Sequence, residues 1–409
     1  MRILLIHRYF WPDSPPYASM LRATGQHFAE QGHEVTVLTT QPSYTAATAK
    51  LRQPKTEVLD GVRVIRRPMF PESKRNWLAR LLNVALFQAH LAWHLLFRRR
   101  AYHLVTATTM PPVVVAGVVS SFARLRGSRM LYHCMDLYPE IARISGGLPM
   151  GRGPLPALLG AWDRRTCKKA WRVVVLSEDM KRTIAARGLA TENVRVLNNF
   201  SLEAAPDATD HNKPAPKQPD EFRVLFAGNI GRFQGLETVL EAASLLREHP
   251  QIQFHFLGDG AARAALTEQA GEMLGKTVHF HGFQALPVAL AFMRSAELGI
   301  VSLQPKVIRS AFPSKTMTYL AAGLPLLAMV ERDSSLAELV EEHHVGAAVS
   351  QGDARALADA IVQIAESPQE QEAMRERARA LSEAEFVPAA ALAKWDQLLG
   401  ELETELSAR

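Results

Sequence analysis

Arg223-Val224-Leu225-Phe226-Ala227-Gly228-Asn229-Ile230-Gly231-Arg232-Phe233-Gln234-Gly235 decides the fold. Residues 223–227 read as a short buried strand, residues 228–235 as a glycine-rich loop, and residues 236–248 as a helix. A strand feeding such a loop and helix begins a parallel α/β unit, because the helix must carry the chain back before the next parallel strand can start. The chain opens in the same way. Residues 2–7 form a strand, residues 9–17 a loop stiffened by Pro12, Pro15 and Pro16, residues 19–31 a helix closed by Gly32, and residues 34–39 a second strand. The pattern therefore starts twice.

Working outward, strands are expected at residues 62–66, 104–107, 130–135, 171–176 and 194–197. Residues 201–219 are rich in Pro, Asp, Lys and Ala and lack periodicity, as a linker does. After the restart, further strands fall at residues 253–257, 278–281, 298–302 and 326–330. The expected fold class is α/β, with two doubly wound Rossmann-like domains facing a cleft. Residues 1–200 form the N-terminal domain and residues 201–220 the linker. Residues 221–386 form the C-terminal domain, and residues 387–409 a helix that packs back across the domains.

Composition narrows the class. The 409 residues are 47% hydrophobic and 22% charged, enough apolar surface for a core in each half without disulfides or metal. Cys134 and Cys167 have no metal-ligand spacing and fit a reducing compartment. A net charge of +6 favours anionic partners, and no motif for binding nucleic acid is present. The apolar run after Met1-Arg2 is too short for a signal peptide. Residues 81–97 are strongly apolar, with Asn83, His90 and His94 on one helical face, Arg75 and Arg80 ahead and Arg98-Arg99-Arg100 behind. That segment is too short and too interrupted to span a bilayer. It reads either as a core helix or as an interfacial helix of the 75–100 segment leaning on an anionic membrane. The expected location is cytoplasmic, peripheral at the inner face of the cell membrane.

Candidate chemistry lies in loops after strands, where ligands of parallel sheets bind. Ser310-Ala311-Phe312-Pro313-Ser314-Lys315 leads into a helix that Gly323 stops and Pro325 cannot continue. Lys315 in its first turn suits a phosphate. In the glycine-rich loop, Gly228, Asn229 and Gly231 let backbone approach a ligand, and Arg232 can grip phosphate oxygens. The alternative there is a plain turn with a surface arginine. Two cations from separate loops suit a diphosphate leaving group. Gly258-Asp259-Gly260 reads mainly as a tight structural turn, and Phe283 after Gly282 as a contact for a base or a simple turn. In the N-terminal half, Asp136 can position an acceptor hydroxyl or take its proton, or can cap the segment before Pro139. His133 reads as a core histidine or an acceptor contact. No nucleophile elbow, Walker lysine motif, zinc-type His–Glu–His arrangement or convincing Asp-x-Asp is found.

Taken together, the motifs resemble the GT-B glycosyltransferases of family 4, the group 1 retaining transferases, and within them the fucosaminyltransferase-like branch of bacterial surface polysaccharide synthesis. The resemblance rests on Tyr9-Phe10-Trp11-Pro12, Gly32-His33-Glu34-Val35-Thr36-Val37-Leu38-Thr39, Asp136-Leu137-Tyr138-Pro139-Glu140, Gly228-Asn229-Ile230-Gly231, Phe312-Pro313-Ser314-Lys315 and Ala321-Ala322-Gly323-Leu324-Pro325, in that order. It implies metal-independent transfer, with retention, from a nucleotide-sugar that serves as co-substrate with no other cofactor. It places the donor on the C-terminal domain, at Gly228, Asn229, Gly231, Arg232, Gln234, Gly258, Phe283, Ser310, Pro313, Ser314, Lys315 and Thr318. The acceptor falls on the N-terminal domain, at Pro15, Pro16, His133 and Asp136. Asp136, Arg232 and Lys315 would act on the reacting groups.

The chain also departs from the family pattern. The family's glutamate pair would fall at Ser310 and Thr318, so both carboxylates are absent. Gln234 stands where a lysine is usual, Pro15-Pro16 where many relatives have two glycines, and Met135 where many have histidine. The expected function is transfer of a sugar, UDP-linked, to a lipid- or saccharide-linked acceptor. The alternative is a catalytically silent binding subunit of a polysaccharide assembly complex. An epimerase of the same fold ranks last, for want of acid/base carboxylates.

Overall fold

A computed structural model of the chain describes residues 1–13, 16–44, 48–70, 77–145, 154–201 and 217–408. Pro15, Arg75 and residues 202–216 of the expected linker lie outside the described residues. The chain divides into two compact units, Met1–Asn198 with Leu392–Arg409, and Asn199–Ala391.

The first unit is built on an eight-stranded sheet. Its strands are β1 (Arg2–Ile6), β2 (Glu34–Thr40), β3 (Thr56–Leu59), β4 (Val62–Arg67), β5 (Leu104–Thr108), β6 (Arg129–His133), β7 (Arg172–Val175) and β8 (Val194–Val196). They lie in the order β3-β4-β2-β1-β5-β6-β7-β8, parallel except for the β3–β4 hairpin. The centre of the sheet is buried on both faces, so β1 reads Ile3-Leu4-Leu5-Ile6 without alternation. Helices α1 (Pro16–Glu30), α2 (Trp77–Phe97), α3 (Val114–Leu125), α4 (Glu140–Ser145), α5 (Pro154–Lys169) and α6 (Glu178–Ala186) carry the crossovers.

Three details differ from the sequence reading. Strand β3 was not expected; it turns into β4 at Asp60 and Gly61, whose φ angles of 51° and 77° suit a tight hairpin. Helix α1 starts at Pro16, ahead of the expected residue 19, because proline is tolerated at a helix's first position. Strand β6 ends at His133, so that residue closes the strand and does not lie inside it.

The second unit holds a six-stranded, all-parallel sheet in the order β11-β10-β9-β12-β13-β14. These strands are β9 (Phe222–Ala227), β10 (Ile252–Leu257), β11 (Val278–Gly282), β12 (Leu298–Ser302), β13 (Leu326–Met329) and β14 (Gly346–Val349). The helices are α7 (Glu237–Leu245), α8 (Arg263–Ala270), α9 (Leu286–Ser295), α10 (Lys315–Ala321), α11 (Ser335–Glu342), α12 (Ala354–Ala365) and α13 (Pro368–Glu385). Helix α7 stops at Leu245, short of the expected residue 248. Phe226, Phe254, Phe256, Val239, Leu240 and Ile361 form the centre of the core between sheet, α7 and α12. The last helix, α14 (Pro388–Ser407), contributes its residues from Leu392 onward to the first unit.

Candidate active site

In the second unit the order of strands reverses between β9 and β12. Loops diverge at such a switch point and leave a crevice at the strand ends, the preferred ligand position in open parallel sheets. The loop after β9 carries Gly228 to Gly235, and the chain after β12 leads to α10, whose first residue is Lys315.

The two segments meet there. Lys315 Nζ donates to Gln234 Oε1 at 2.7 Å and stands 3.7 Å from the centre of the buried Phe226 ring. A Cβ on Gly228 would lie 3.8 Å from the same nitrogen, so strand β9 ends directly against the lysine. Among the described residues no carboxylate pairs with Lys315. Burial pushes its amine down to about 7 from the usual 10.5. The ring face and the amide oxygen hold an ammonium without neutralising it. Tyr319, one turn along α10, takes a 2.7 Å hydrogen bond from the Ala227 N–H and ties the helix to the end of β9.

The glycine-rich loop is pinned from both sides. Ser302 Oγ donates to the Gln234 carbonyl, and the Gln304 N–H donates to the Phe233 carbonyl at 2.6 Å. On the other side, the Ile230 N–H donates to the Asp259 carbonyl at 3.0 Å. Gly258 has φ +130°, and a Cβ there would meet the Gly228 carbonyl oxygen at 1.9 Å. Its lack of a side chain is thus explained by backbone contact between neighbouring loops. Asn229 leans over Gly231, where a Cβ would lie 2.7 Å from Asn229 Nδ2.

The remaining expected donor residues stand apart from that cluster. Arg232 is exposed and makes no ion pair among the described residues, and Phe283 is exposed at the end of β11. Ser314 precedes α10 without capping it, and the Pro313 carbonyl takes the Thr316 N–H at 3.1 Å. One first-turn donor is therefore already used, and α10 is only 7 residues long. Ser310 is 1% exposed, whereas Thr318 is partly exposed.

In the first unit the switch point lies between β1 and β5. His133, 4% exposed, closes neighbouring β6. Burial pushes it down to about 3 and pushes the Tyr17 hydroxyl up, so both are neutral, and the Tyr17 hydroxyl and His133 Nδ1 share a hydrogen bond of 3.0 Å. The ring also meets Trp395 edge-on at 5.3 Å. His133 thus sits among core rings, and the His7 ring lies tilted against Tyr17 with ring centres 4.8 Å apart. Pro16 opens α1.

Asp136 lies beyond the end of β6 and is partly exposed. Burial raises its carboxyl to about 6. Its segment is held by an ionic network: Arg187 donates to Glu140 Oε1 at 2.9 Å, to Asp163 Oδ2 at 2.7 Å and to the Tyr138 carbonyl at 3.0 Å. Tyr132 donates to Asp163 Oδ1 at 2.8 Å from inside the sheet.

Two family profiles match in tandem. "Glycosyl transferase 4-like domain" covers residues 17–199, and "Glycosyl transferases group 1" covers residues 207–381. The chain belongs to the group 1 glycosyltransferases of the GT-B fold. This glycosyltransferase is 28% identical over 344 residues to WcaI of Escherichia coli (strain K12), a glycosyl transferase named for colanic acid biosynthesis; the match covers 80% of this chain and 84% of that one. Its fold is similar to sucrose-phosphate synthase from Thermosynechococcus elongatus, at 20% identity and a TM-score of 0.74, covering 99% of both chains. It is likewise similar to Anabaena Alr3699/HepE, solved in complex with UDP-glucose, at 18% identity and a TM-score of 0.68, covering 98% of this chain and 100% of that one. Sequence reasoning about this glycosyltransferase missed Phe226, Tyr319, Tyr17 and Arg187. Tyr319 was within reach, since it lies four residues after Lys315 and so on the same helical face.

Proposed function

We propose that this glycosyltransferase moves a sugar from a UDP-sugar to a lipid- or saccharide-linked acceptor in surface polysaccharide synthesis, with retention and without a metal. The observation that carries the reading is the Lys315 amine, set at the switch point of the group 1 unit with no carboxylate partner among the described residues. A diphosphate supplies the missing negative charge. The likeness to HepE supports UDP, and the likeness to WcaI supports a polysaccharide acceptor. Lys315 and Arg232 hold the diphosphate and stabilise the charge that develops as the sugar–phosphate bond breaks. Phe283 offers an aromatic face to the base. Asp136, at about 6, is largely ionised near neutrality yet basic enough to orient the attacking hydroxyl or take its proton. The acceptor is presented at an anionic membrane face, where the enzyme is peripheral.

The test is turnover by the purified full chain across a panel of nucleotide-sugars with polyprenyl-linked and free saccharide acceptors. Transfer is expected with a UDP-sugar and is expected to drop at least about a hundredfold in Lys315→Ala/Arg232→Ala. Unchanged turnover in that double variant overturns the assignment. A second reading, a silent binding subunit, is favoured by Ser310: it stands where the family has a carboxylate, and it is 1% exposed. UDP binding without transfer or donor hydrolysis across the whole panel would decide for it.

A further inference from the structure

Helix α2 is inside out. Its sequence, Trp-Leu-Ala-Arg-Leu-Leu-Asn-Val-Ala-Leu-Phe-Gln-Ala-His-Leu-Ala-Trp-His-Leu-Leu-Phe, contains no acidic residue, and its one basic residue is Arg80 in the first turn. A surface helix of a water-soluble protein turns its apolar stripe inward and its polar residues outward. Here the polar side chains sit on the inner half. Asn83 is buried, takes the Phe70 N–H at 2.8 Å and donates to the Phe70 carbonyl at 2.9 Å. His94 meets the Tyr102 hydroxyl at 2.9 Å. The amide atoms of Gln88 and the Nε2 atom of His90 are enclosed. Phe87, Leu91 and Leu95 complete the inward side.

What remains outside is apolar. Leu78, Leu81 and Leu82 are 56%, 57% and 58% exposed, and Trp93 and Phe97 are 63% and 64% exposed. Ala85 and Ala89 are exposed between them, so the stripe runs the whole helix, about 28 Å at the α-helical rise. Trp93 and Phe97 pack on each other with ring centres 4.3 Å apart, forming one aromatic patch at the C-terminal end. Basic residues flank the stripe: Arg80 near its start, and Arg99 and Arg100 just beyond its end are all exposed. Arg98 is engaged otherwise, with Glu34 and over the Tyr102 ring.

The sequence alone left α2 open between a core helix and an interfacial one. No helix among the described residues is long and apolar enough to cross a membrane. A continuous apolar stripe on an exposed helix calls for an apolar partner. The surrounding arginines, with no acid on the helix, select a partner whose surface is negative. We propose that the outward face of α2 is a docking surface for an anionic lipid bilayer. The helix lies flat in the headgroup region, with Leu82 and Trp93 immersed and Arg99 and Arg100 on lipid phosphates. This deepens the proposal of a lipid-linked acceptor: docking would hold the first unit against the surface that carries it.

The test is flotation of the purified full chain with vesicles of phosphatidylethanolamine and phosphatidylglycerol, against vesicles of phosphatidylcholine. Co-flotation is expected with the anionic vesicles and is expected to weaken with salt. Leu82→Glu/Trp93→Glu, both outward positions, should reduce vesicle binding at least about tenfold with an unchanged thermal melt. Arg99→Gln/Arg100→Gln should remove the preference for anionic lipid. Absence of co-flotation, or binding equal in the variants, overturns the proposal. So does a dimer seen by light scattering that the Glu pair dissolves, with no vesicle binding, because the occupant is then a second copy. Vesicle binding is read without donor or acceptor, and transfer to a free saccharide without vesicles, so failure of docking and failure of the transferase reading are told apart.

Discussion

Lys315 holds a charge where burial opposes it. Its amine is pushed down to about 7, so in the free protein it is largely neutral above that pH. A bound diphosphate favours the ammonium and raises the pKa again, so binding takes up a proton wherever the free amine is neutral. UDP affinity should fall as pH rises above about 7, by at most about tenfold per pH unit, until the pKa of the bound state is reached. Titration calorimetry in buffers of different ionisation enthalpy measures both the affinity and the proton. At about pH 8 uptake is expected in the native chain and absent in Lys315→Gln, with the ligand's own titration cancelling in the comparison. Equal proton uptake in the two would remove Lys315 from the diphosphate site. The Gln234 amide matters here: a lysine at that position would add a second cation beside Lys315 and push both amines down further, whereas Gln234 accepts a bond without adding charge.

At the scale of elements, the segment carrying Asp136 is fixed by Arg187, which links Glu140 at the start of α4 to Asp163 on α5. Arg187 and Asp163 have side chains 8% and 4% exposed, so removing the guanidinium leaves Asp163 without its positive partner. Arg187→Met should lower stability by about 3–5 kcal/mol, read from denaturant unfolding of the full chain. Arg187→Lys should not restore it fully, since one ammonium cannot replace a planar fork that reaches several acceptors. A loss within about 1 kcal/mol would mean that the network is solvated and that something else fixes the segment. This also shows why sequence reading stopped where it did. Asp136-Leu137-Tyr138-Pro139-Glu140 was visible as a motif, yet its anchor lies 47 residues beyond Glu140, and nothing local to either announces the pairing. The buried parallel strands were legible because both faces are apolar, as in β9 and β12. The Gly323 stop of α10 was legible because its φ of +66° suits glycine. Strand β3 was not, because it lies at the sheet edge with exposed positions alternating and Val58 pointing to solvent. Lys315 and Gln234 were each placed on a loop, but 81 residues separate them, and only the β9–β12 neighbourhood joins them.

At the scale of the whole molecule, the first unit is completed by the end of the chain. Leu392, Trp395, Leu398, Leu399 and Leu402 of α14 are buried, and Trp395 meets Phe28 at 6.2 Å as well as His133. Polar contacts run the length of the segment: His27 with Asp396 at 2.9 Å, Arg172 with Glu401 at 2.7 Å, and the Trp171 indole N–H with Glu405 at 2.9 Å. Half-exposed ion pairs of this kind add little individually. The apolar side chains decide the matter, because each buried Leu or Trp contributes about 1.5–3 kcal/mol. Their sum is comparable with the whole stability of a domain, about 5–15 kcal/mol. A chain ending at residue 391 should therefore lose the cooperative unfolding of its first unit while the second unit melts as before. Differential scanning calorimetry of the full and shortened chains separates the outcomes. Loss or a large downward shift of one transition is expected. Adding back a synthetic peptide of residues 392–409 should recover part of that transition, because the missing helix would then bind the surface it normally covers. An unshifted first transition in the shortened chain would mean that α14 only rests on a unit already complete without it.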